Sequence, residues 1–146
     1  ITMDFGAFYN GYCSDITRTV FLGEPDEKMR KIYDVVLAAN IKAINSFESG
    51  MTGRDLDLIA REHIAGEGYG DEFSHGLGHG VGVQVHEEPR INRFGDKELA
   101  KGMIFSIEPG IYVEGLGGVR IEDLVTVVDG KLKVLTKKAP KEMIIL

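Results

Sequence analysis

The sequence predicts an α+β domain, and three observations carry that expectation. Two stretches read as β-hairpins, Asp4-Phe-Gly-Ala-Phe-Tyr-Asn-Gly-Tyr-Cys-Ser-Asp15 and Glu108-Pro-Gly-Ile-Tyr-Val-Glu-Gly-Leu-Gly-Gly-Val-Arg-Ile-Glu122. Two stretches between them carry apolar residues at helical spacing. The hairpins also share a plan. Each begins carboxylate-x-Gly-apolar-aromatic, reaches a glycine seven residues on (Gly11 and Gly115), and ends at a second carboxylate. This weak internal repeat points to one pseudo-symmetric site built twice.

In the first hairpin, Asn10-Gly11 is the strongest turn signal, because both central residues of a type I′ turn need positive φ. A two-residue loop there pairs Tyr9 with Tyr12, Gly6 with Asp15 and Asp4 with Thr17. Side chains alternate faces along a strand, so Asp4 and Asp15 share a face as diagonal neighbours, roughly 7–8 Å apart at the backbone. The other face carries Phe5, Tyr9, Tyr12 and Ile16.

The first helix is expected after Gly23-Glu24, with Pro25 at its first position and Asp26 and Glu27 in its first turn. Ile32, Val35, Val36, Ala39, Ala43, Ile44 and Phe47 form its apolar stripe, and Gly50 stops it. Thr52-Gly-Arg-Asp55 is a near capping box for a second helix through Leu56, Ile59, Ala60, His63 and Ile64, ending at Gly66-Glu-Gly68. His63 falls on or beside the apolar face and reads as structural.

Three of the four histidines, His75, His79 and His86, fall within twelve residues of a glycine-rich stretch. No register gives G-x-G-x-x-G and no Walker lysine follows, so a nucleotide loop is a weak reading. The glycines also argue against a helix, despite the i, i+4 spacing of His75 and His79. They are expected to let the backbone approach a ligand closely. Beside a carboxylate cluster, three histidines read as one ligand and two substrate-contacting groups.

Strands are expected over 102–113, 118–128 and 131–136, with Asp129-Gly130 as a second tight turn. Glu108 and Glu122 share a face only if the loop near Gly115-Leu116-Gly117 has an odd number of residues, and a three-residue loop is an ordinary solution. Arg120 then lies on that face, where a guanidinium can hold a ligand carboxylate. Pro109 removes a backbone donor and requires an edge or a bulge. Either carboxylate pair alone would read as solvent-facing acids. Two pairs in matching frames, with one imidazole, suit two hard divalent cations instead.

Composition sets outer bounds. At 146 residues the chain suits one domain with a real core. A net charge of −6 gives no electrostatic footprint for nucleic acid or an anionic membrane. No apolar run approaches a membrane span of roughly 20 residues. The single Cys13 excludes an intrachain disulfide and fits a reducing compartment, so a cytoplasmic location is expected. The chain opens Ile1-Thr2-Met3-Asp4 directly in a strand and reads as a piece of a longer protein.

The motifs Asp4-x-Gly, Gly-Tyr-x-Ser-Asp15-Ile-Thr-Arg-Thr, His75-Gly-Leu-Gly-His79-Gly-x-Gly, His86-Glu-Glu-Pro, Ser106-Ile-Glu108-Pro-Gly and Gly118-Val-Arg-Ile-Glu122-Asp span nearly the whole chain. Together they resemble the proline-specific branch of the pita-bread metallopeptidases, the Xaa-Pro aminopeptidases and Xaa-Pro dipeptidases (prolidases). The resemblance implies that residues 1–146 are the C-terminal part of the catalytic domain: one hairpin of the first half of that fold and the complete second half. It implies two metal ions, one held by Asp4 and Asp15 and the other by Asp15, His79, Glu108 and Glu122, with Asp15 and Glu122 bridging. Manganese or cobalt is expected, with zinc and iron also compatible. Glu108 is expected to double as ligand and proton shuttle, with His75 and His86 contacting the substrate around the scissile bond.

The expected substrates are short peptides with proline at the second position, and the full-length protein is expected to be a homodimer. The isolated chain is expected to be inactive, with the apolar face of its first hairpin uncovered. Methionine aminopeptidases share the five ligands, and two further readings stand beside the enzyme: a metal-free binding module and a metal-free hydrolase of creatine-like compounds on the same fold. Both meet the objection that all five ligands are present.

Overall fold

Asn10 and Gly11 take φ values of 50° and 86°, and the hairpin they close has the register the sequence predicts. In the computed structural model, which describes residues 1–146, that hairpin comprises β1 (Thr2–Phe5), β2 (Phe8–Tyr9), β3 (Tyr12–Cys13) and β4 (Ile16–Phe21). Asp4 pairs with Thr17 and Tyr9 with Tyr12. Phe5, Tyr9 and Tyr12 on its outer face are exposed, as the alternation requires.

The helices follow as α1 (Glu27–Asn45) and α2 (Gly53–Gly66). Pro25 is not the first helical residue. Asp26 caps α1 by accepting from the Met29 N–H at 2.8 Å, which places Pro25 just outside the helix. The capping box of α2 is complete, with Thr52 and Asp55 each bonding the other's backbone N–H.

The remaining strands are β5 (Gly78–Gly80), β6 (Glu87–Ile91), β7 (Ile104–Ile107), β8 (Gly110–Val113), β9 (Gly117–Arg120), β10 (Asp123–Val128), β11 (Lys131–Val134) and β12 (Ile144–Ile145). Five form an antiparallel sheet in the order β11-β10-β7-β5-β6, and β12 adds in parallel to β4 on the edge opposite β1. The helices pack on each other, α1 also against β7, β8, β9 and β11, and α2 against β6. Ile32, Val36, Leu56, Ile64, Phe105, Ile107 and Ile121 join in the core between them. No helix is long and apolar enough to cross a membrane.

Two predicted strands are each broken in two. The 102–113 stretch stops at Ile107 and resumes at Gly110, and the 118–128 stretch stops at Arg120 and resumes at Asp123. At these breaks the N–H of Glu108 donates to the Leu77 carbonyl at 2.8 Å and that of Glu122 to the Thr17 carbonyl at 3.0 Å, outside the strand ladders. Both glutamates therefore sit at kinks. Asp129 and Gly130 form the expected positive-φ turn between β10 and β11.

Candidate metal centre

The second hairpin closes as parity requires. Val113 pairs with Gly117 and Gly110 with Arg120, leaving the three-residue loop Glu114-Gly115-Leu116 with Gly115 at φ 74°. This register sets Glu108 and Glu122 opposite each other, and the first hairpin brings Asp4 and Asp15 to the same place. A cavity of 370 Å³ is lined by Asp4, Asp15, His79, Glu108 and Glu122 together with His86. Residues more than a hundred positions apart in the chain thus meet in one recess.

His79 reaches this recess from the short strand β5, which is squeezed between β6 and β7. A Cβ on Gly78 would lie 2.0 Å from the Ser106 carbonyl oxygen, and one on Gly80 2.1 Å from that of Glu88. These glycines admit neighbouring strands and not a ligand, contrary to the sequence expectation. His79 Nδ1 donates to the Gly80 carbonyl at 3.1 Å, which turns Nε2 toward Glu108 at 3.2 Å and Asp15 at 3.8 Å. Asp15, His79 and Glu122 present ligand atoms all within 4.8 Å of one another.

The two remaining carboxylates are held beside that triad. Glu108 accepts from the Ser106 hydroxyl at 3.0 Å. Arg120 donates to Asp4 at 2.6 Å and lies 4.0 Å from Glu108, so it does hold a carboxylate of the set. Its other arm donates to the Tyr112 hydroxyl at 2.9 Å. Tyr112 in turn meets His75 Nε2 at 2.9 Å, and His75 Nδ1 meets the Gly76 carbonyl at 2.7 Å. Because Tyr112 accepts from Arg120, its own proton is free for His75 Nε2, and Nδ1–H faces Gly76.

The structure thus places His75 outside the cavity of the five carboxylate and imidazole groups, in an adjoining recess that also touches Glu108 and Arg120. His86 lines the main cavity and packs edge-on against His79, 4.1 Å between ring centroids. His63 lies elsewhere, in the groove between the helices.

The electrostatics of the centre are those of crowded acids. Burial and the neighbouring Glu108 push Glu122 up to about 8. Burial and the Asp4 charge raise Asp15. Burial alone would lower His79, but its bonds to Glu108 and Gly80 and the carboxylate charges lift it to about 9. Glu122 Oε2 accepts from Thr17 at 2.7 Å, while its Oε1 is buried with no partner. An orphaned carboxylate oxygen beside two acids and an imidazole is a donor set that fits a divalent cation. Thr17, Ser106 and Tyr112 escaped the sequence reading, since single hydroxyls carry no spacing signal.

Comparison with known proteins agrees with this geometry. Residues 1–129 match the description of metallopeptidase family M24. The chain is 53% identical over 137 residues to an Xaa-Pro dipeptidase of Pyrococcus furiosus, covering 94% of this chain and 39% of that protein. It superimposes on an Xaa-Pro dipeptidase from Bacillus anthracis with a TM-score of 0.96 at 49% identity, over 99% of this chain and 41% of that one. An X-prolyl aminopeptidase from Caenorhabditis elegans, described as a cytosolic enzyme with a di-nuclear active site, matches with a TM-score of 0.84 at 32% identity, over 92% of this chain and 24% of that one. The chain thus spans about two fifths of the length of the first two relatives. Its α+β architecture is the family's pita-bread fold, and the chain belongs to metallopeptidase family M24.

Proposed function

We propose that the protein carrying this chain is a dinuclear metallo-exopeptidase that hydrolyses Xaa-Pro peptide bonds, and that residues 1–146 are the C-terminal part of its catalytic domain. The observation that carries the reading is the convergence of Asp4, Asp15, His79, Glu108 and Glu122 on one cavity, with a buried Glu122 oxygen unpartnered. Asp4, Asp15, His79, Glu108 and Glu122 would together hold the two ions, with Asp15 and Glu122 shared between them. Two divalent ions supply a polarised peptide carbonyl and a water of lowered pKa as nucleophile.

The protein groups do the rest. His79 is fixed in the tautomer that leaves Nε2 for a ligand bond, through its Nδ1–H to Gly80. Glu108, bonded to Ser106, carries a proton toward the leaving proline nitrogen. His86, on the cavity wall, donates to the developing oxyanion. His75 has both ring nitrogens engaged, and its role here is to orient Tyr112 and, through it, the Arg120 that holds Asp4.

The proline preference rests on the relatives named Xaa-Pro dipeptidase. A cytoplasmic location rests on the single thiol of Cys13 and on the relative described as cytosolic. Homodimerisation of the full-length protein remains part of the reading, as does inactivity of the isolated chain, whose Phe5, Tyr9 and Tyr12 stand exposed on the hairpin that carries two ligands.

The test is an assay of the full-length protein after chelation, with Mn²⁺ or Co²⁺ restored. An Xaa-Pro dipeptide, an Xaa-Pro tripeptide and a methionyl peptide without proline serve as substrates. Metal-dependent cleavage of a proline peptide is expected, and the tripeptide arm separates dipeptidase from aminopeptidase. Cleavage of the methionyl peptide alone, or no dependence on metal, would contradict the reading.

A further inference from the structure

Behind the second hairpin lies a buried polar contact that core formation alone does not require. Asn40 sits within α1, fully buried, on the face that otherwise carries Ile32, Val36, Ala39 and Ala43. Asparagine is a poor residue for a helix interior, and a buried amide is costly unless its groups are bonded. Here the Asn40 Nδ2 donates to the Ile107 carbonyl at 3.0 Å and to the Ile121 carbonyl at 3.4 Å. Those residues immediately precede Glu108 and Glu122.

The same two peptide units are held at their other ends, by the Glu108 N–H to Leu77 and the Glu122 N–H to Thr17. Each glutamate therefore leaves the backbone at a peptide pinned on both sides, and one amide joins the two. The strand ladders flank these points in one register, Ile107 with Asp123 and Gly110 with Arg120, but break at the glutamates themselves, where the Asn40 amide bridges the two peptides.

Lys141 sets the orientation of that amide. Its ammonium donates to Asn40 Oδ1 at 2.8 Å and pairs with Asp123, the residue after Glu122. An ammonium has donors only, so the Asn40 oxygen must face it and the NH₂ must face the two carbonyls. Asp123 is further held by Arg18 at 2.9 Å and by Thr136 at 2.7 Å, and Arg18 also bonds the Glu122 carbonyl. Neither Asn40 nor Lys141 lines the cavity.

We propose that Asn40 and Lys141 are positioning residues of the metal centre, setting the separation and aim of Glu108 and Glu122 through the Ile107 and Ile121 carbonyls. The inference rests on the metal-centre reading above. It gives a function to a C-terminal segment outside the stretch 1–129 that matches the family. It also accounts for a polar side chain in the middle of an apolar helix face.

The test compares Asn40→Leu and Lys141→Met with the unsubstituted full-length protein, and with Lys138→Met, an exposed position on the same segment. Calorimetric titration of the metal-free proteins with Mn²⁺ gives affinity, thermal melting of the same samples gives stability, and steady-state kinetics separate kcat from KM. Asn40→Leu should weaken Mn²⁺ binding about tenfold or more, and Lys141→Met by at least about threefold. Both should lower kcat with KM nearly unchanged, while Lys138→Met matches the unsubstituted protein. If Asn40→Leu does not fold, Lys141→Met decides. Affinity and kcat within about twofold of the unsubstituted protein, with only the melting temperature lowered, would make the pair mere packing and overturn the inference. An unsubstituted protein that binds no Mn²⁺ would overturn the metal-centre reading as well.

Discussion

The two hairpins follow one sequence plan and deliver their carboxylates by different means. The first relies on local register: a positive-φ turn fixes the pairing and the pairing fixes the face, leaving Asp4 on a side chain that is 51% exposed and Asp15, between β3 and β4, buried. The second breaks its ladders at each glutamate and anchors the kinks from behind, leaving Glu108 at 16% side-chain exposure and Glu122 buried. Even the shared glycines answer different needs. A Cβ on Gly6 would lie 2.0 Å from the Ser14 carbonyl oxygen across the hairpin, whereas one on Gly110 would lie 2.5 Å from the Tyr112 hydroxyl. The lesson is that a repeated motif specifies where ligands converge, while burial decides what each ligand costs the fold.

Substitutions that remove one carboxylate from each hairpin should break this symmetry most sharply. Glu122→Gln in the full-length protein should abolish turnover, since the lost charge belongs to the buried group proposed to serve both ions. It should also raise the melting temperature of the metal-free protein near pH 8, because one member of a crowded acid set is gone. Asp4→Asn should lower metal content while leaving that melting temperature nearly unchanged, as Asp4 is half-exposed and already paired with Arg120. Equal shifts in both variants would erase the distinction between the hairpins. Elemental analysis and thermal melting supply the readings.

His86→Ala should retain both metal ions and lose about two to three orders of magnitude in kcat, the ordinary cost of one oxyanion donor. Loss of an ion in this variant would make His86 a ligand and redraw the cavity wall.

The smallest effect is on stability against pH. Glu122 at about 8 and His79 at about 9 stand above their ordinary values of 4.5 and 6.5. The folded metal-free protein therefore holds protons that the unfolded chain has already released. The contribution of these two groups to stability is full below those ordinary values and is lost as pH rises through the folded ones. The melting temperature of the metal-free protein should fall by several degrees from about pH 6 to about pH 9. Metal displaces these protons, so the loaded protein should lose that slope, and Mn²⁺ affinity should rise with pH over the same interval. A metal-free protein that grows more stable toward pH 9 would contradict the crowded-acid description.

Much of this was legible in the sequence because it rests on local rules. Asn10-Gly11 specified a turn, the turn specified a register, and the parity of strand positions put Asp4 beside Asp15 and Glu108 beside Glu122. The capping box at Thr52 was legible for the same reason. Pro109 marked an irregularity beside Glu108, but nothing local marked the break at Glu122, and the hydrogen-bond partners at the two breaks, Leu77 and Thr17, come from distant segments. Strand β12 at Ile144–Ile145 is too short to show a period. Asn40 within a helical stripe reads as an ordinary polar interruption, and only the fold reveals which carbonyls it meets.

The central claim is that five side chains from two hairpins and one glycine-flanked strand hold two ions. The direct measurement is elemental analysis of the full-length protein, saturated with Mn²⁺ and freed of excess, beside its His79→Ala and Glu122→Gln variants. Two ions per chain are expected in the unsubstituted protein, with one or none in either variant and the fold retained by circular dichroism. An unsubstituted protein without bound metal, or variants with undiminished stoichiometry, would contradict the account.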